Sequence, residues 1–139
     1  MARTAAAAAM NQPSPQNSAR RFGPALEGLH VFLAWAAPVV EGFPRGYKFT
    51  LGDRIAQTGL DALERLIEAT YDRDRARPLQ AANLAIEKLR HLFRLAFTLH
   101  CIDERRYEHA ARQLDEIGRL IGAWKKTSTA YDARDGASA

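Results

Sequence analysis

Tyr107 to Lys126 reads YEHAARQLDEIGRLIGAWKK, and this stretch decides the fold. Tyr107, Leu114 and Ile121 fall seven apart, and Ala110, Ile117 and Trp124 repeat that spacing three residues on. This is the a/d stripe of a helix that packs nearly parallel to its neighbours. Gly118 and Gly122 lie one turn apart on a shared face. Glycine lowers helix propensity by about 1 kcal/mol relative to alanine, so the pair predicts close approach of another backbone. The opposite face carries Glu108, Arg112, Asp115, Glu116 and Arg119. Glu108–Arg112, Arg112–Glu116 and Asp115–Arg119 are opposite charges at i,i+4 spacing, the pattern of a solvated helix surface. One such helix needs partners, and the preceding chain supplies three.

Asp103 is placed to cap this fourth helix, which the periodicity carries to about Lys126. Pro78, at a first-turn position, opens a third helix running to about Cys101. Leu79, Ala82, Ile86, Leu89, Phe93, Ala96 and Leu99 or His100 form its core side. Leu84, Leu92 and Leu95 widen the stripe and predict burial on more than one face. A second helix is expected from Leu51 to Tyr71, with Thr50 as N-cap and Asp53 reaching back in a capping box. Ile55, Leu63, Leu66 and Ile67 should face inward, with Thr58, Gly59 and Thr70 as small residues beside them. Ahead of it, Gly42 to Thr50 reads as an aromatic and basic loop. The first helix runs from Pro24 to about Glu41 on Leu26, Leu29, Leu33, Ala36 and Val40, flanked by Phe32 and Trp35. Pro38 should kink its last turn or end it early. The chain therefore reads as all-α, an antiparallel up-down-up-down four-helix bundle over residues 24–126. Residues 1–23, poor in large apolar groups, are expected to be a disordered tail, and 127–139 a flexible polar tail.

The composition fits one globular domain of 139 residues. Its formal charge is +4, and Arg outnumbers Lys sixteen to four. Arginine is the better bidentate binder of phosphate, although arginine richness also follows genome composition. Cys101 is the only cysteine, so no intrachain disulfide forms. No apolar run reaches membrane-span length, and the alanine-rich N-terminus is too weakly apolar for a signal peptide. A cytoplasmic location is the expectation.

Catalytic and metal chemistry find little support. Glu27 and His30 make one Glu-x-x-His pair, but di-iron bundles need it twice, with two further glutamates. His91, His100 and His109 sit on separate stretches without a second ligand at zinc spacing. Cys101 adjoins His100, yet adjacent helical residues do not face each other, and nothing near it lowers its pKa. No nucleophile elbow, phosphate loop or dinucleotide fingerprint is present. The chain does not read as an enzyme, and no cofactor or metal is expected. What remains is charge on a scaffold. Arg90 and Arg94 lie one turn apart with Lys88 and His91 alongside, and Arg77 precedes them after Arg73 and Arg75. Helix 4 ends with Arg119, Lys125 and Lys126. From Pro78 to Lys126 there are nine basic and six acidic residues, an excess suited to phosphate contacts. The alternative is that these cations complement a helix C-terminus and solubilise a face.

The segment Phe43-Pro44-Arg45-Gly46-Tyr47-Lys48-Phe49-Thr50-Leu51-Gly52-Asp53-Arg54-Ile55 resembles the loop and helix 2 start of the Avd proteins, the accessory variability determinants of diversity-generating retroelements. Tyr107 to Ala110 and Leu114 to Trp124 are similar to the family's helix 4, and Trp35 and Pro38 fit its helix 1. The resemblance covers about residues 24–126. It implies a homopentameric ring of four-helix protomers, without catalytic activity of its own. Such a ring binds nucleic acid, associates with the retroelement reverse transcriptase, and supports cDNA synthesis from template-repeat RNA. On this resemblance Arg90, Arg94, Arg119, Lys125 and Lys126 are expected nucleic-acid contacts, and the charge pattern adds Arg77 and Lys88 to them. Trp35, Gly118, Gly122 and Trp124 are the expected packing and oligomer contacts. A related reading is a structural or interaction bundle without a nucleic-acid role, like the four-helix proteins encoded in ribosomal RNA intervening sequences. The long Ala/Pro-rich N-terminal extension and the modest charge depart from the family's pattern.

Overall fold

The computed structural model describes residues 22–138, with side chains to residue 128; the N-terminal tail expected at 1–23 lies almost wholly outside them. Four long helices make up the described chain: α1 (Pro24–Glu41), α2 (Asp53–Tyr71), α3 (Ala76–Thr98) and α4 (Glu104–Ser138). No strand occurs among the described residues. A single helical turn, Arg45–Tyr47, and a π-helical segment, Lys48–Gly52, lead into α2. Contacts run α1–α2, α2–α3, α3–α4 and α4–α1, so each helix touches two others around one core. That arrangement is a four-helix bundle.

Local chemistry sets each boundary. Gly23 takes a left-handed φ of 90° and Pro24 follows at the first helical position, where its missing N–H is no loss. Pro38 does not end α1 early. The helix continues to Glu41, and the Gly42 N–H closes it by donating to the Pro38 and Val39 carbonyls at 3.2 and 3.1 Å. At α4 the expected cap is present: the Arg106 backbone N–H donates to Asp103 Oδ1 at 2.8 Å. α4 then continues to Ser138, beyond Lys126, where the apolar periodicity stops.

Thr50 is not an N-cap. The chain is already helical from Arg45, and the Thr50 hydroxyl donates to the Tyr47 carbonyl at 3.4 Å instead. Tertiary packing overrides the local signature here. Leu51 and Gly52 are buried, and a Cβ on Gly52 would lie 3.0 Å from Val40 Cγ1 and 3.6 Å from Phe43 Cδ2. Glycine lets the wider π turn press against α1.

α3 starts at Ala76, two residues before Pro78, which still falls in the first turn. Its end is a Schellman motif: Cys101 N–H donates to the Ala96 carbonyl at 2.8 Å and His100 N–H to Phe97 at 3.0 Å. His100 occupies the left-handed position at φ 62°, where glycine is preferred. His100→Gly is therefore expected to stabilise the fold by about 1 kcal/mol. The check is a rise in the thermal midpoint; an unchanged or lower midpoint would mean that His100 makes compensating contacts.

The core is built from Leu29 and Phe32 on α1, Leu66 on α2, Leu79, Ile86, Leu89 and Phe93 on α3, and Leu114, Ile117 and Ile121 on α4. Phe32 meets Phe93 edge-on at 5.6 Å between centroids, with Trp35 6.4 Å from Phe93. The a/d stripe of α4 thus packs as its spacing predicts, with Tyr107 and Trp124 half-buried at its ends. Two expectations fail. Ile67 is 42% exposed, because α2 turns Ile55, Ala62, Leu66 and Ala69 inward instead. Leu84 and Leu95 stay 56% and 46% exposed, since one chain offers no second layer to cover them.

Candidate nucleic-acid interface

The basic residues fall into two groups with different electrostatics. On the α3–α4 side Arg90 is only one-third exposed and belongs to an ion-pair network. Its Nη1 meets Asp115 of α4, and its Nε lies 3.0 Å from Glu87, off the line of a hydrogen bond. Gly118 explains how it fits: a Cβ there would stand 2.9 Å from Arg90 Nη2. So the neighbour that Gly118 admits is a guanidinium, not the backbone its spacing predicts. Gly122 faces open space among the described residues, with nothing within 4 Å of where a Cβ would stand. Asp115, expected to pair with Arg119, is taken by Arg90. Arg119 turns to Glu116 instead, with Nε 3.0 Å from Oε2. That hydrogen bond holds the Glu116 carboxyl below its ordinary pKa and raises that of Arg119. Arg90 and Arg119 are thereby locally neutralised.

The other group is open. α2 and α3 flank a groove of about 800 Å³, lined by Arg54, Gln57, Thr58, Asp61 and Arg65 from α2 and by Ala85, Lys88 and His91 from α3. Ala81, Leu84 and Leu92 add apolar lining, and the buried residues of the groove are Thr58 and Ala85. Arg65 is held by Glu68 at 2.8 Å. Arg54 and Lys88 are exposed and take part in no ion pair among the described residues. Three cations, Arg54, Arg65 and Lys88, face one carboxylate, Asp61, so the lining groups sum to +2. A basic trough with apolar lining suits a phosphodiester chain whose bases or sugars rest inside.

Of the expected nucleic-acid contacts, only Lys88 lines this groove. Arg77 and Arg94 are exposed on α3 and Lys126 on α4, all outside it. Lys125 is exposed on the same turn as Lys126. Trp35 is half-buried with its ring 4.4 Å from the His109 ring, and Trp124 packs against the core edge. Arg54 escapes a reading of the sequence because α2 reads as a packing helix. The signal is nonetheless there: positions 54, 58, 61 and 65 recur at helical spacing on one face.

Cys101 is half-buried in the α3–α4 turn, and burial pushes its thiol pKa up, the opposite of an activated nucleophile. No cluster of three or more His, Cys, Asp or Glu able to hold a metal occurs among the described residues. No helix among them is long and apolar enough to cross a membrane.

No curated protein and no solved structure matches the chain. A family model described as bAvd-like matches residues 26–128. That span holds all four helices through the core-packing part of α4, the groove and the Arg90 network. The chain belongs to the bAvd-like family.

Proposed function

We propose that this protein is a non-catalytic accessory factor of a diversity-generating retroelement. It binds template RNA or its cDNA copy and docks the reverse transcriptase, acting in the cytoplasm. The protomer is an antiparallel up-down-up-down bundle, and copies assemble into a homo-oligomeric ring, a pentamer on the family's pattern. The observation that carries the nucleic-acid role is the α2–α3 groove, where Arg54 and Lys88 stand unpaired beside apolar lining. Phosphate contact there needs no ion pair to be broken. Arg77, Arg94 and Lys126 extend the basic surface beyond it.

Assembly is supported by the exposed apolar side chains Leu60, Ile67 and Leu95 on α2 and α3, outside the groove, surface that a second copy can cover. A ring repeats a modest site around one axis, and multivalency turns weak single contacts into firm binding. One observation favours the rival reading of an interaction bundle without nucleic acid: the pairing of Arg90 with Asp115 and of Arg119 with Glu116 removes two expected phosphate ligands.

A binding series with single-stranded RNA across salt concentrations separates the two. The accessory-factor reading expects binding whose logarithm falls linearly and steeply with log salt. Absence of binding at low salt would support the interaction-bundle reading instead.

A further inference from the structure

The π-helical entry to α2 holds an aromatic side chain in an unusual place. Phe43 and Phe49 flank the same short segment, yet Phe43 is 4% exposed and Phe49 is 64% exposed. Phe43, Leu51 and Gly52 anchor the segment against Val40. The π turn sets which residues face out: Leu51 and Gly52 point into the core, while Phe49 and Thr50 face solvent. A single-turn π segment carries a local energetic penalty and recurs at functional sites.

One cation lies near the Phe49 ring. Lys48 Nζ sits 5.4 Å from the Phe49 ring centroid and is tied to Glu41 at 2.9 Å. From Gly42 to Arg54 the charged residues are Arg45, Lys48, Asp53 and Arg54. Arg45 and Arg54 have no ion pair among the described residues. Arg54 lines the groove and lies about one π turn beyond Phe49. An exposed ring with a cation 5.4 Å from it, five residues ahead of a residue that lines a basic groove, matches the arrangement by which proteins hold unpaired bases: cations track the backbone and the ring takes a base face.

We propose that Phe49 is a base-stacking platform, so the ligand of the groove is a single-stranded rather than a duplex segment. The proposal rests on the nucleic-acid reading above and specifies its ligand. A duplex keeps its bases stacked on each other and offers Phe49 no free face, whereas a single strand crossing from Arg45 past Phe49 to Arg54 does. A protein partner seated on Phe49 is the competing occupant. Arg45 and Arg54, which have no ion pair among the described residues, favour an anionic chain over an apolar protein surface.

The test uses the full chain with a short labelled single-stranded RNA of mixed sequence and a duplex of equal length. Phe49 is on the surface, so Phe49→Leu keeps the fold and the apolar bulk but removes the π face. It is expected to weaken single-strand binding about 10-fold with the salt slope unchanged, and to leave duplex binding as it was. Phe49→Trp is expected to restore or improve single-strand affinity. Equal losses for both RNAs, or no loss for either, overturn the stacking role. A changed oligomeric mass in Phe49→Leu also overturns it and assigns the ring to a protein contact. If Arg54→Ala/Lys88→Ala loses affinity while Phe49→Leu does not, stacking fails but nucleic-acid binding stands. If the wild type binds neither RNA at low salt, both fail.

Discussion

Phe93→Ala is expected to remove about 3–5 kcal/mol of folding stability. Phe93 is one of the largest fully buried side chains, on the inner face of α3. Its ring meets Phe32 edge-on at 5.6 Å and lies 6.4 Å from the tilted Trp35 ring. Truncation loses the transfer energy of the ring, leaves a cavity between rigid helices, and removes an aromatic pair worth about 0.5–1.5 kcal/mol. A domain of this size has about 5–15 kcal/mol in all, so the variant should stand close to its unfolding threshold. Urea unfolding checks this: the midpoint should fall sharply with the slope unchanged. Phe97→Ala is the internal comparison. Phe97 is half-buried and stacked on Tyr107 at 4.9 Å, and its loss should be smaller. If Phe93→Ala costs no more than Phe97→Ala, the aromatic cluster is not the centre of the core.

The second large effect concerns function. Arg54→Ala/Lys88→Ala is expected to lower RNA affinity and to flatten its salt dependence. Each phosphate contact contributes about 0.7 to the slope for single strands, so two lost contacts should reduce it by about 1.4 per site occupied. Arg90→Ala/Arg119→Ala carries the same change in charge and should leave the slope nearly unchanged, because Asp115, Glu87 and Glu116 already form ion pairs with those guanidinium groups. Its effect should be on α3–α4 packing, where Asp115 loses its partner. Salt titration of both variants, with oligomeric mass confirmed, distinguishes local phosphate contact from general charge. Equal flattening in the two variants would mean that only total charge matters.

Much of the fold is legible from period and punctuation. Tyr107 to Trp124 shows its stripe because both seams of α4 are buried against neighbours, and Pro24 and Asp103 mark helix starts by chemistry that acts within one turn. Where the reading fails, the deciding contact is distant in sequence. Thr50 has the features of an N-cap, but Gly52 must press on Val40, and the chain answers with a π turn. Asp115 is one turn from Arg119, yet pairs with Arg90 twenty-five residues away. Gly118 looks like a site for backbone approach and instead seats the Arg90 side chain. The candidate site shifts for the same reason. Density of positive charge points to Arg90, Arg94 and Arg119, but Arg90 and Arg119 are held by carboxylates, and the unpaired cations that two helices bring to one groove are Arg54 and Lys88. Lys88 stands out by its basic neighbours on α3; Arg54 shares a helical face with Thr58, Asp61 and Arg65, but that face becomes a groove wall only when α2 and α3 lie side by side.

The most direct test of nucleic-acid binding through the α2–α3 groove is ultraviolet crosslinking of a bound single-stranded RNA, followed by mass-spectrometric mapping of the attached peptides. With the strand in the groove, crosslinks are expected on the peptides carrying Arg54 and those carrying Lys88 and His91. Crosslinks confined to the Arg90–Arg94 ridge or to Arg119 through Lys126, or none at any salt concentration, would contradict it.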